Sequence, residues 1–148
     1  MSPPDNVIAN RSVPASTVIP VLAYQDVAAA VGWLCAAFGC AVRLRIGTHR
    51  VQLHLGNGDL VATEGLPSGG DPMATPWATH SLLVRVPQVD AHCARARQHG
   101  ARIVDAPADR PYGERQYTAV DLGGHCWTFS QSIADVDPAD WGGELVEP

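Results

Sequence analysis

Asp121 and His125 carry the side chains of an acid–base pair, and only Leu122, Gly123 and Gly124 separate them. A carboxylate in such a pair orients the imidazole, which then holds or releases a proton at one ring nitrogen. The same stretch also suits a tight reversal between two β-rich runs. Glycine enters positive φ without steric cost, and an Asp at a turn entry can bond the turn's own amides. The expectation is therefore structural, with His125 opening the returning strand beside the core. Cys35, Cys40, Cys93 and Cys126 show no C-x-x-C spacing, so a zinc site built from them is not expected. They read as free thiols packed as small hydrophobes in a reducing compartment. A cysteine nucleophile needs a base beside it, which spacing alone does not supply. The nucleotide-binding and serine-hydrolase signatures G-x-G-x-x-G, G-x-x-x-x-G-K-[ST] and G-x-S-x-G are missing; Gly69-Gly70 and Gly123-Gly124 read as turns.

Composition removes whole classes of function. The net charge is −5 and the arginines are scattered, so no basic stripe is present to neutralise phosphates; nucleic acid is not an expected partner. No apolar run approaches the roughly 20 residues of a membrane span. Residues 1–16 hold Pro3, Pro4 and Pro14 but no apolar segment of the kind an export signal needs, so a cytoplasmic protein is expected. A hydrophobic fraction of 46% is enough for a packed core.

The elements that must position any site repeat. Residues 1–16 read as an arm. Thr17–Gln25 is rich in β-branched residues and reads as a strand, with Pro20 marking an edge or bulge. Asp26 offers an N-cap; Val27, Ala30, Val31, Leu34 and Phe38 follow at helical spacing, and Gly39 ends the helix. Strands are expected at Cys40–Ile46, Arg50–Leu55 and Asp59–Glu64, with Asn57-Gly58 as the hairpin between the last two. Residues 66–79 form a Gly- and Pro-rich linker. The order then restarts: a strand at His80–Val86, Asp90 as N-cap, a helix at Ala91–His99, and Gly100. Strands follow at Ala101–Val104, Gln116–Leu122 and His125–Ser130, with Ala106–Gly113 as a loop. Residues 133–148 are an acidic tail without periodicity. Gly39-Cys40-Ala41-Val42 after the first helix answers Gly100-Ala101-Arg102-Ile103 after the second, a repeat of roughly 60 residues. The expected fold is α+β, two βαβββ modules (about 17–65 and 80–132) whose curled mixed sheets enclose a cavity, completed in a homodimer.

The segments from Asp26 to Gly39 and from Val89 to Ala101 resemble the two helices of the vicinal oxygen chelate superfamily. D-L-G-G-H-C-W-T-F (Asp121 to Phe129) is similar to the ending of a bacterial branch near the glyoxalase and bleomycin-resistance proteins, as is Pro111-Tyr112-Gly113-Glu114-Arg115 upstream. The resemblance covers residues 17 to 132. It implies that function lies on the inner face of the sheets, where enzymatic branches, extradiol dioxygenases among them, hold a divalent metal with four His, Gln or Glu ligands. The corresponding positions fall near Ile19, near Ala62, at His80 and at Thr128. Of these only His80 can ligate, and a catalytic site needs about three protein ligands. No metal cofactor is expected. Glu64, two residues beyond Ala62, shares its face and would join His80 if a Zn, Ni, Fe or Mn ion were held after all.

The resemblance then implies a cavity for a small organic molecule, lined by His80, Thr128, Gln52, His54, Tyr112 and Arg115, with catalytic residues unassigned. If Thr128 faces inward, Cys126 and Ser130 do so too, and Trp127 and Phe129 face the helices. Arg115 either recognises an anion or pairs with Glu114 or Asp121. Trp77, in the linker, either lines the cavity mouth or is buried at a dimer contact. Sequestration of an organic ligand is the leading function, and a metal-dependent lyase or isomerase of the glyoxalase kind is the alternative.

Overall fold

Pro20 shortens the first strand. Proline has no amide hydrogen to give to a ladder, and its carbonyl instead accepts the Val61 amide at 2.9 Å. The strand expected at Thr17–Gln25 is therefore only Val21–Tyr24 (β1). Asp26 starts the first helix as its position predicts. Its carboxylate accepts the Ala29 amide at 3.0 Å, and α1 runs Val27–Phe38 until Gly39, at φ 80°, takes the left-handed cap. Ala41–Ile46 (β2), Arg50–Leu55 (β3) and Gly58–Glu64 (β4) follow. Leu55 pairs with Gly58, so the hairpin turn is Gly56-Asn57, one residue earlier than the Asn57-Gly58 signal suggests. Gly56 supplies the positive φ, at 58°.

The second half repeats the order with Leu82–Arg85 (β5), Val89–Gln98 (α2), Arg102–Asp109 (β6), Glu114–Val120 (β7) and Cys126–Ser132 (β8). Asp90 is not the N-cap. Gln88 holds that place without a side-chain bond, and Asp90 sits in the first turn, where a negative charge favours the helix dipole. β6 is longer than the Ala101–Val104 run because irregular pairing between Ile103, Asp105 and Ala108 carries it past Pro107. The tail, which shows no periodicity, holds one turn of 3-10 helix at Pro138–Trp141.

The computed structural model describes residues 8–65 and 80–145. These fall into two compact units, 8–65 with 122–125 and 80–121 with 126–145. Each unit holds one mixed sheet, ordered β1-β4-β3-β2 in the first and β5-β8-β7-β6 in the second. In each, the outermost pair is parallel and the rest are antiparallel. This is the α+β architecture of paired βαβββ modules that the repeat predicts.

Strand alternation gives each sheet two unlike faces. Leu22, Tyr24, Val51, Leu53, Leu60 and Ala62 share one face of the first sheet and are buried, as are Val27, Val31, Leu34 and Phe38 of α1. Tyr117, Ala119, Trp127 and Phe129 do the same in the second, alongside buried Val89, Cys93 and Ala96 of α2. Each fully buried large apolar side chain contributes about 1.5–3 kcal/mol. The opposite faces are the polar ones.

Candidate functional site

On the second sheet, register sets Thr118 beside Thr128 and Gln116 beside Ser130, all on the polar face. The Thr118 and Thr128 hydroxyls lie 2.9 Å apart. A longer chain of hydrogen bonds runs beside them. The Tyr112 hydroxyl donates to Gln116 Oε1 at 2.9 Å, Gln116 Nε2 donates to Ser130 Oγ at 3.0 Å, and Ser130 Oγ donates to Glu114 Oε1 at 2.8 Å. Each side chain passes one hydrogen bond to the next, and the chain ends on a carboxylate. Ser130 is buried while Tyr112, Gln116 and Glu114 are half-buried, so the network is fixed at its root and open at its rim. Arg85, on the same face by its register with Ser130, donates to Ser132 Oγ at 3.3 Å.

Part of the polar face of the first sheet, around Gln52, is covered by the chain's own arm. Gln52, buried, donates to the Ser12 carbonyl at 2.9 Å and accepts from Arg43, whose Nη2 donates to the Arg11 carbonyl at 2.8 Å. Pro14 is buried here too. Ser16 Oγ donates to Asp59 Oδ2 at 2.6 Å, and His54 Nδ1 lies 2.6 Å from Asp59 Oδ1. Burial pushes the Asp59 carboxyl up, but the hydrogen bonds from Ser16 and His54 and the nearby imidazole outweigh it, leaving the group below its ordinary value. A carboxylate depressed in this way contributes stability that is present above about pH 4 and fades as pH falls through the lowered value. In an NMR titration the Asp59 carboxyl should show a midpoint below the ordinary one, and Ser16→Ala should move it upward. A wild-type midpoint at or above the ordinary value contradicts this account of the arm.

The structure sorts the candidate residues. Thr128 and Tyr112 share the polar face of the second sheet with Gln116. Gln52 and His54 also lie on a polar face, but both are engaged in holding the arm. Arg115 points to the helix side: its Nε meets Asp90 at 3.1 Å and its Nη1 meets Asp109 at 3.0 Å, in place of the Glu114 or Asp121 pairing expected. Those two carboxylates raise its pKa further. His80 is exposed just ahead of β5, and Trp77 lies outside the described residues. Asp121 and His125 each have a partner elsewhere. Asp121 Oδ2 accepts the Trp127 indole N–H at 3.0 Å, and His125 Nε2 lies 2.8 Å from the Ala23 carbonyl with its ring edge-on to Tyr24. The thiols are poor nucleophiles. Burial raises all four pKa values, and it drives Cys40, with Cys35 adding to the effect, up to about 12.

A model of the Glyoxalase/Bleomycin resistance protein/Dioxygenase superfamily matches residues 17–129. The chain belongs to this superfamily. Among solved structures it is similar to TioX from Micromonospora sp. ML1, with 36% identity and a TM-score of 0.66 over 80% of this chain and 99% of TioX. A glyoxalase/bleomycin resistance protein/dioxygenase family enzyme from Burkholderia phytofirmans PsJN shares 16% identity, at a TM-score of 0.63 over 76% of this chain and 95% of its own. The fosfomycin resistance protein FosX from Listeria monocytogenes shares 13%, at 0.63 over 78% and 92%. The last two likenesses show the fold alone. No curated protein matches the chain.

The metal that the superfamily implies does not fit these side chains. Val61 pairs with Val21 in the first unit as Thr128 pairs with Leu83 in the second. Val61, not Ala62, is thus the counterpart of Thr128, and neither can ligate a cation as a carboxylate would. Glu64 does share a face with Ala62, but that is the buried helix side, away from Gln52 and Val61. Among the described residues no three His, Cys, Asp or Glu side chains gather into a possible metal site.

Sequence reasoning names Thr128, Ser130 and Tyr112 among the cavity candidates, but not Gln116, Thr118 or Glu114, which the structure sets beside them. Alternation assigns a face within one strand. Knowing which residues of β7 join that face requires the β7–β8 register, which the sequence does not display. The arm's hold on Gln52 was likewise out of reach, because Ser12 and Arg11 contribute backbone carbonyls and no side-chain pattern.

Proposed function

We propose that this protein binds and sequesters a small organic molecule without a metal, on the polar face of its second sheet. The observation that carries the reading is the directed chain from Tyr112 through Gln116 and Ser130 to Glu114. It presents half-buried hydrogen-bonding groups at an open rim, the kind of polar fixing points that orient a ligand in a largely apolar site. The position where a metal-binding carboxylate would stand is Thr128, and its hydroxyl is already paired with Thr118. The first sheet supports the same choice, since Gln52 at the centre of its polar face is occupied by the arm. The likeness to TioX agrees in fold and sequence.

We further propose a cytoplasmic homodimer. The four free cysteines suit a reducing compartment. Val21 and Leu83, at matching places in the two sheets, are 52% and 67% exposed, which favours pairing with a second copy. No helix among the described residues is long and apolar enough to cross a membrane.

Two measurements on the purified full chain test the reading. Elemental analysis should find no stoichiometric divalent metal, and native mass spectrometry after expression in the source organism should find a co-purifying small molecule. Gln116→Leu, which breaks the chain at its centre, should release that molecule at least tenfold more readily, about 1.4 kcal/mol. One tightly held metal ion per chain, or retention unaltered by Gln116→Leu, overturns it.

A further inference from the structure

The C-terminal tail lies beyond the residues the superfamily model covers, yet it is built into the second unit beside the polar chain. Its root is fixed at Gly113, whose carbonyl accepts both the Ile133 amide at 2.8 Å and the Ala134 amide at 3.2 Å. Asp137 then starts the 3-10 turn by accepting the Ala139 amide at 3.1 Å. Gly142, at φ 92°, closes the turn, and the Gly143 amide bonds back to the Pro138 carbonyl at 2.7 Å. The result of this folding is the placement of one residue. Trp141 meets Tyr112 with ring centroids 5.5 Å apart and planes inclined by 60°.

Two aromatic planes meeting at that angle form a corner. Trp141 remains 45% exposed, so nearly half of a large apolar surface is still open after the tail has been ordered. Tyr112 belongs to both systems. Its ring is one wall of the corner, and its hydroxyl is the first donor of the chain that ends on Glu114. We infer that the tail is part of the binding site, and that Trp141 and Tyr112 together receive a planar aromatic ring bearing a hydrogen-bond donor or positive charge. A flat ring stacked on one wall sets its edge against the other, an arrangement aromatic groups favour. The Glu114 carboxylate accepts the Ser130 hydroxyl through Oε1, and a carboxylate, with about four lone-pair sites, has accepting capacity beyond that for a cationic or N–H-bearing substituent. Arg85 and Asp105 also lie on this face by register. Arg85 is held at Ser132, and Asp105 adds negative charge.

The inference rests on the ligand-binding reading above and narrows it to a ligand class. Proflavine, a flat cationic tricycle, and anthracene-9-carboxylate, a flat anionic one, are suitable probes by fluorescence titration of the full chain. Proflavine should bind at least tenfold more tightly than the anthracene acid. Trp141→Ala should weaken proflavine at least tenfold without moving the melting temperature, and Trp141→Phe should recover most of the loss. Failure of the wild type to bind proflavine overturns the inference, as does tighter binding of the acid. Proflavine affinity that survives Trp141→Ala but is lost in Gln116→Leu refutes the aromatic corner while leaving the sheet face as the ligand site. Affinity unchanged in both variants refutes both readings.

Discussion

Trp127→Ala is expected to lose about 3–5 kcal/mol of folding stability, read from urea unfolding. Trp127 is fully buried on the helix side of β8, its ring parallel to Phe129 within 5° at 6.0 Å. Truncation leaves a cavity that a close-packed core closes only in part. It also strips the Asp121 carboxylate, itself 1% exposed, of the indole N–H it accepts. The loss is a large share of the 5–15 kcal/mol that holds a typical domain together. Asp121→Ala should cost less, about 1–3 kcal/mol, by orphaning the buried indole donor. If Trp127→Ala were to cost under about 1 kcal/mol, the ring would not be the core piece that its burial indicates. The D-L-G-G-H-C-W-T-F stretch is therefore recognisable for structural reasons. Its Asp and Trp brace each other, and its His meets the Ala23 carbonyl and the Tyr24 ring.

That stretch also shows what was legible in the sequence. Local rules sufficed wherever a single segment determined the outcome: Asp26 and Gly39 bounding α1, alternation in β8 dividing Trp127 and Phe129 from Thr128 and Ser130, and the repeat announcing two modules. They failed where a partner from elsewhere decided. Asp90 has the residue type of an N-cap, but it lies within the first turn of the helix, and its carboxylate meets Arg115 on β7. Pro20 reads as a tolerable strand residue until the carbonyl it leaves free is seen to take the Val61 amide. The tail shows no hydrophobic period because its single turn is held by Asp137, Gly142 and the Gly113 carbonyl, none of which depends on a repeating pattern. Trp141 stands in a tail without periodicity, and only the tertiary fold supplies Tyr112 as its neighbour.

Gly113 is where that neighbour relation should be easiest to break. Its φ is +83°, a conformation side chains rarely adopt, and a Cβ built there would sit 2.4 Å from the Ala134 carbonyl oxygen and 3.0 Å from Val136 Cγ2. The oxygen belongs to backbone and cannot swing aside as a flexible side chain would. Gly113→Ala should therefore incur two costs. One is the left-handed backbone, about 1–3 kcal/mol; the other is the overlap, about 1–3 kcal/mol more if the tail stays in place. Gly100 separates them, because its φ of +80° is nearly the same while nothing lies within 4 Å of its would-be Cβ. Gly100→Ala should thus report the backbone cost alone, and Gly113→Ala should exceed it by at least about 1 kcal/mol in urea unfolding. The tail can escape the second cost by leaving Gly113, and Trp141 would then leave Tyr112. In that case the two alanine variants would unfold alike, but Gly113→Ala would show a red-shifted, more quenchable tryptophan emission that Gly100→Ala lacks. Equal stability together with unchanged emission would mean that the tail is not anchored at Gly113 at all. The lever that places Trp141 beside the polar chain is a missing side chain, eight residues ahead of the β7–β8 turn and twenty-eight ahead of the ring it positions.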